Sequence, residues 1–307
     1  MSDTPTNDKL VAGLIRLLTV RALGPDLYEG SPQTDGIGRV FGGQVLAQAL
    51  QAAGATVTDG KRAHSLHAYF LRGGREGAPI TYRIERDFDG KSFANRRVVA
   101  AQADEDGGMV PILNLTASFQ LPEQGLEHCD SPMPDVPRLD DLRPDMVMRQ
   151  EIAAEWGDRL SENQRRLMLR PRPIEMRTID RLHWMSTEPR EPRAHTWFRA
   201  CAPITGADDT PALHRAIITY ASDYTLLGTS ALPHGLSWMR GELVGASLDH
   251  AVWFHREARA DEWLLYATDA PWSGGGRGFN RGRIFNLAGE LVASVAQEGM
   301  MRKRVKG

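Results

Sequence analysis

The chain has 307 residues, 41% hydrophobic and 25% charged, and its 37 basic and 39 acidic side chains leave a formal charge of −2. That is the composition of a soluble globular protein with a large core, long enough for two domains, and it excludes a global basic field that would attract nucleic acid. Two cysteines, Cys129 and Cys201, are too few for a disulfide framework and fit a reducing cytoplasm. No apolar run approaches the roughly 18 residues of a membrane span. The N-terminal Met1–Asp8 lacks the charged and apolar regions of a secretory signal, and Arg304–Gly307 is not a peroxisomal address, so a cytoplasmic location is expected.

Leu10, Val11, Leu14, Ile15, Leu17 and Leu18 recur at helical spacing and predict a short amphipathic helix. Residues 30–38 are rich in Gly, Pro, Asp and Ser and read as loop. Gly42-Gly43 then opens an alanine-rich helix reaching Ala53, so nearly uncharged that it should be buried. Strand patterns follow at His64–Leu71, Ile80–Arg86, Ser92–Gln102 and Ile112–Gln120, with Asp89-Gly90 as a two-residue hairpin signal and a second turn over Asp104–Gly108. One buried helix followed by an antiparallel meander is a compact α+β unit.

Residues 122–170 differ. Five prolines interrupt 122–144, and two polar helical stretches follow at 146–157 and 161–169, the pattern of an interdomain linker. Strand signals resume at Ile174–Arg177 and His195–Ala200. An apolar helix from about Pro211 then carries one carboxylate, Asp223, among Ala221, Tyr224, Leu226 and Leu227. An Asp inside a helix is unfavourable, and a carboxylate in apolar surroundings needs donors, so Asp223 is either a turn-forming residue or a functional one. Strand-like runs at Ala246–His255, Leu264–Ala267, Gly278–Phe285 and Leu291–Arg302 complete the chain.

The second half repeats the first. Ser65–Phe70 is similar to Ser247–Phe254, Ser92–Val98 to Gly278–Ile284, and Leu115–Gln120 to Val292–Gln297, the last pair each ending on glutamine. Three matches in the same order indicate duplication of one fold, with units at 1–121 and 171–307 and the linker at 122–170.

Several motifs carry a resemblance. Arg39-Val-Phe-Gly-Gly-Gln44, His64–Arg72, Asp89–Arg97 and Thr116–Gln120 in the first half, with Tyr220-Ala-Ser-Asp223, Leu248-Asp-His250, Trp253-Phe-His255, Glu262–Tyr266 and Gln297-Glu-Gly-Met300 in the second, resemble the acyl-CoA thioesterase II family of double-hotdog thioesterases. The resemblance implies an α+β double hotdog: two antiparallel sheets, each wrapped around a central helix and joined side by side. It also implies hydrolysis of fatty acyl-CoA by a directly attacking water, with no metal or organic cofactor. The residues matching the family's water-holding positions are Asp223, Gln297 and Ser247, the last departing from a threonine common among relatives.

The roles are chemically coherent. Asp223 would accept the proton of the water, while Ser247 and Gln297 fix its position. Gly42-Gly43 offers candidate oxyanion donors, or else close helix–sheet packing. Gln120 matches Gln297, but the first helix offers no acid, so one working site per chain is expected. Arg72, Arg75, Lys91, Arg96, Arg97, Arg277, Arg281 and Arg283 are conceivable phosphate partners, although most suit solvated strand edges.

The pairs His64/His67 and His250/His255 lack a third metal ligand at suitable spacing. Asp249-His250 reads as a strand-end pair supporting loops, Gly274–Gly278 as a turn without nucleotide-binding spacing, and no Gly-x-Ser-x-Gly elbow occurs. Two rivals remain in view. A hotdog hydratase or dehydratase would need an Asp/His pair, yet no His lies within six residues of Asp223; a non-catalytic acyl-CoA-binding module would tolerate loss of Asp223. Acyl-CoA is the expected partner, without nucleic acid or membrane, and a homo-oligomer is expected by analogy.

Overall fold

The structure is a computed structural model that describes residues 5–33, 38–179, 188–238 and 240–304. Part of the loop expected over 30–38, and residues 1–4 and 305–307 of the chain ends read above for targeting signals, lie outside the described residues.

A helix α1 (Asn7–Leu18), capped by the Thr6 side chain, leads into a two-stranded ribbon, β1 (Val20–Gly24) and β2 (Leu27–Gly30). Its tight turn holds Asp26 at a φ of 55°. The sequence did not announce this ribbon, because β1 is short and four of its five residues are exposed, leaving no alternation to read. The buried helix α2 (Gly42–Gly54) comes next, then the meander β3 (Arg62–Phe70), β4 (Ile80–Asp89), β5 (Phe93–Ala103) and β6 (Met109–Gln120). The expected two-residue hairpin at Asp89-Gly90 is longer. Asp89 still pairs with Ala94, and the Gly90 N–H reaches the Phe93 carbonyl at 2.8 Å.

After an extended stretch, α3 (Asp145–Trp156) and α4 (Glu162–Leu169) form the two helices foreseen there, and Ser161 and Gln164 close a capping box at α4. The second half contains β7 (Ile174–Thr178), β8 (Arg193–Ala200), α5 (Pro211–Ser222), the single turn α6 (Leu226–Thr229), β9 (Leu243–Ser247), β10 (Asp249–Phe254), β11 (Leu264–Gly274), β12 (Arg277–Phe285) and β13 (Leu291–Lys303). The single run read at 246–255 is thus two strands parted at Leu248.

All strands join one antiparallel sheet in the order β1-β2-β4-β5-β6-β3-β10-β13-β12-β11-β8-β7, with β9 on the end of β13. The seam is β3 against β10, where Leu66 faces Val252 and His67 faces Ala251. Each half therefore wraps its strands around its own helix, and the sheets fuse side by side as the resemblance implies. Alanines and glycines on α2 let it lie against α5, and one apolar core containing Leu46, Leu50, Leu66, Ile217 and Val252 runs through both halves. No described helix is long and apolar enough to cross a membrane.

The duplication holds with one correction. Ala94 pairs with Phe119, and Asn280 pairs with Gln297. The offset of the second sequence match (Ser92–Val98 onto Gly278–Ile284) superposes Ala94 on Asn280, so the counterpart of Gln297 is the buried Phe119 rather than Gln120. Gln120 lies on the outer face beside the exposed Phe93 and donates to Glu123 at 2.8 Å. Identity of letters misled by one residue, and one residue exchanges the faces of a strand.

Candidate active site

Helix α5 starts where Thr210 caps the Leu213 N–H and Pro211 takes the first position, and its buried face (Leu213, Ala216, Ile217, Tyr220) holds it in the core. It ends at Ser222. Asp223 is therefore not inside the helix, as its sequence setting suggested, but at its C-terminal cap, with φ −86° and ψ −5°. A negative charge there opposes the carbonyl end of the helix dipole, and the side chain is only 5% exposed.

Three groups answer that charge. Gln297 on β13 donates from Nε2 to Asp223 Oδ1 at 2.7 Å, and the Gly43 backbone N–H and the Ser247 hydroxyl also favour the charged carboxylate. Gly43 belongs to the first turn of α2, so the amino end of one central helix meets the carbonyl end of the other beside Asp223. Burial still dominates and pushes the Asp223 carboxyl up to about 6, against the pull of Gln297, Gly43 and Ser247. The three residues singled out in the sequence, Asp223, Ser247 and Gln297, thus come together. The glycine pair serves contact between helices more than contact with the sheet. A Cβ on Gly42 would stand 2.7 Å from Asp223 Oδ2, and one on Gly43 2.5 Å from the Tyr220 carbonyl oxygen. Gly43→Ala is expected to destabilise the fold by about 1–3 kcal/mol, beyond any gain in helix propensity. A denaturant midpoint equal to the wild type's would show instead that the helices can part to admit a methyl.

One further member was not foreseen. His250, on β10, is fully buried, and its Nε2 lies 2.8 Å from Ser222 Oγ. Ser222 uses its own proton on the Thr219 carbonyl at 2.9 Å, so the imidazole must donate from Nε2 and accept at Nδ1. Nδ1 is 3.0 Å from Gln297 Nε2, whose two hydrogens therefore go to His250 and Asp223. The amide is fixed in one orientation, and its Oε1, buried, has no partner among the described residues. His250 Nδ1 is also 3.9 Å from Asp223 Oδ1. That contact is not an ion pair, because burial holds the imidazole down to about 3, neutral at any ordinary pH. His250 thus does more than support loops; of its neighbour Asp249, Oδ1 does accept the Glu298 N–H at 2.6 Å. The sequence concealed His250 because its partners lie 28 and 47 residues away.

Asp223 and Ser247 line a cavity of about 570 Å³ walled by Phe41, Tyr220 and Tyr224. Among the described residues the cations at this cavity are Arg39, Arg149, Arg170 and Arg172, and none of the strand arginines considered from sequence lines it. Arg97 pairs with Glu85 and Asp87, Arg277 with Glu298 and Arg281 with Asp269, while the buried Arg96 binds Thr56 and Asp89. The stretch read as a mere linker, with the two residues after it, supplies three of the four cavity arginines. Among the described residues no group of three metal-ligating side chains occurs; His64 bonds Ser118 and His255 bonds Ser294.

Comparison with known proteins agrees with this architecture. Residues 31–120 match the model of the acyl-CoA thioesterase N-terminal domain and residues 144–301 that of the C-terminal domain. The chain is 34% identical to human acyl-coenzyme A thioesterase 8 over 97% of its own length and 91% of that protein's. It is 32% identical to acyl-CoA thioesterase 2 of Haemophilus influenzae, covering 95% and 98%. Among solved structures, an acyl-CoA thioesterase II from Mycobacterium marinum superposes with a TM-score of 0.73 at 36% identity, covering 96% and 99%. A hotdog-fold protein from Alicyclobacillus acidocaldarius, at 16% identity and a TM-score of 0.72, shares the fold. With both halves matched and the likeness running nearly end to end, the chain belongs to the acyl-CoA thioesterase II family.

Proposed function

We propose that the protein hydrolyses fatty acyl-CoA to a free fatty acid and CoA by direct attack of a water molecule held by Asp223, Ser247 and Gln297. The observation that carries the reading is the fixed Gln297 amide beside Asp223: its Nε2 is committed to Asp223 and His250, which leaves its Oε1 buried and without a partner among the described residues. A buried acceptor left unmade costs about 1–3 kcal/mol, and a water beside Asp223 would satisfy it. That water gives one proton to the Asp223 carboxylate as its oxygen bonds to the thioester carbon. The C–S bond then breaks, and the proton passes from Asp223 to the departing thiolate. Ser247 and Gln297 supply orientation, which can account for much of the rate when the attacking atom is already placed.

Since Asp223 must be ionised to act, and burial brings it to about 6, kcat/KM is expected to fall tenfold per pH unit below about pH 6. Thiol release from a long-chain acyl-CoA, followed from pH 4 to 8 with and without chelator, tests this. A flat acid limb, or loss of activity on chelation, would count against an Asp-activated water.

His250 beside Asp223 bears on the hydratase alternative, since the structure brings together an acid and an imidazole that the sequence kept apart. Both ring nitrogens are engaged by Ser222 and Gln297, so neither can shuttle a proton to a substrate carbon. The reading further takes 1–121 and 171–307 as the duplicated units, a cytoplasmic setting supported by two unpaired cysteines, and self-association by analogy with related folds.

A further inference from the structure

We infer, beyond the thioesterase reading, that the cavity at the opposite ends of α2 and α5 is a second, non-hydrolytic site that takes the carboxylate of a free long-chain fatty acid beside Lys61. The space measures about 590 Å³, close to the 570 Å³ beside Asp223. It lies between the start of α5, at Thr210, Pro211 and Ala212, and the end of α2, at Gly54 and Ala55. The first cavity has the reverse arrangement, the start of α2 against the end of α5.

The duplication identifies what stands in the place of each reacting group. Asp223 is the C-terminal cap of α5, and the C-terminal cap of α2 is Ala55. The counterpart of Gln297 is Phe119. Ser247 pairs with Gly299, two residues beyond Gln297. Two residues beyond Phe119 is Leu121, and extending the Arg62–Gln120 pair by one step sets Lys61 opposite it. Both ladders slip by one residue shortly after that position, between Ala63 and Ser65 in one half and between Ser247 and Ala251 in the other, so the match holds. Ala55, Lys61 and Phe119 all line the second cavity. A methyl, an ammonium and a phenyl ring there replace acid, hydroxyl and amide, so the space can hold a chain but cannot activate water.

The lining selects the ligand. Val20, Leu50, Val57 and Phe119 give the cavity an apolar wall. Lys61, Arg62 and Arg215 also line it, and among the described residues no carboxylate does. Their counter-ions lie outside the cavity: Lys61 bonds Asp59, while Arg62 and Arg215 share Glu257 at 2.7 and 2.6 Å. Three cations thus face two carboxylates, and the buried Arg215 Nε has no partner among the described residues. The Lys61 side chain is only 2% exposed, and the amino end of α5 opens on the same space. One surplus cation, set in an apolar wall at the positive end of a helix, fits an amphiphile with a single negative head. A fatty acid has that form, and it is what hydrolysis in the first cavity would release.

The test adds laurate, labelled at its carboxyl carbon and kept below its micellar concentration, to the purified full-length chain and follows the bound carboxylate by nuclear magnetic resonance. Lys61→Met is expected to raise the dissociation constant about tenfold, and Lys61→Arg to restore most of the affinity. Ala55→Trp, at an exposed position on the cavity wall, should block the site with the fold intact. Dodecyltrimethylammonium, with the same chain and the opposite head, should not displace laurate. Laurate affinity within about twofold of wild type in both Lys61→Met and Ala55→Trp would overturn the site. No bound resonance, or displacement by the cationic amphiphile as readily as by unlabelled laurate, would overturn it equally. Thiol release from lauroyl-CoA by both variants should stay within about twofold of wild type, and a fall in step with laurate binding would place the bound acid in the catalytic cavity instead. Absence of thiol release from the wild type is a different result, which would take down the hydrolase reading and leave the fatty-acid site standing.

Discussion

Asp223→Asn is expected to lower kcat by about 10²–10⁴-fold while the protein stays folded. The amide keeps an oxygen for the Gln297 Nε2 donor, so the 2.7 Å contact survives, but it cannot take a proton from water. Stability offers an independent measure of the same residue. The folded carboxyl titrates near 6, against an ordinary value of 3.8. Between those values the folded chain binds more protons than the unfolded one, so this carboxyl makes stability fall as pH rises through the window, by about 3 kcal/mol in all. Asp223→Asn lacks that dependence. Denaturant melts from pH 4 to 7 should therefore show the variant gaining on the wild type as pH rises. A variant with undiminished turnover would remove Asp223 as the proton acceptor, and parallel melts would mean that the carboxyl does not titrate in this window.

Gln297→Glu should be nearly as damaging for a different reason. It puts a second carboxyl where the amide now sits, 2.7 Å from Asp223 Oδ1 and 3.0 Å from His250 Nδ1. Two carboxyls at such a distance in a buried site share one proton, so the acid limb should move upward and kcat/KM at neutral pH should drop by about 10²-fold. The introduced group also has no second hydrogen for His250. A pH–rate profile with its limb unmoved and its plateau intact would show that Gln297 neither touches the reacting centre nor controls Asp223.

What the sequence made legible follows from where its signals are local. The apolar wrapping of α2, the alternation of β4 and β5 and the order of the duplicated segments are patterns within a few residues, and the fold follows from them. The β1–β2 ribbon was silent because exposed strands leave no period. Asp223 was legible as a carboxylate in apolar company, yet its place at the cap of α5 was not, because no Gly or Pro follows Ser222 to mark the break. His250 and the cavity arginines were misread for the opposite reason. In sequence a histidine beside an aspartate, or an arginine in the polar helix α3, resembles ordinary strand-end and surface chemistry. Only tertiary contact makes one the anchor of an amide and the other a buried cation.

The register correction also says something about how freely each half can vary. At the place where the second half keeps Gln297, the first half holds Phe119, which has only to fill space. Apart from the glycines that open α2 and the cavity wall at Arg39 and Phe41, the first half is released from the reaction and answers to its own fold, including buried bonds such as those of Arg96 to Thr56 and Asp89. A library of substitutions across the gene should therefore be lopsided, with losses in the early strands tracking loss of fold and losses in the late ones including folded chains that no longer turn over.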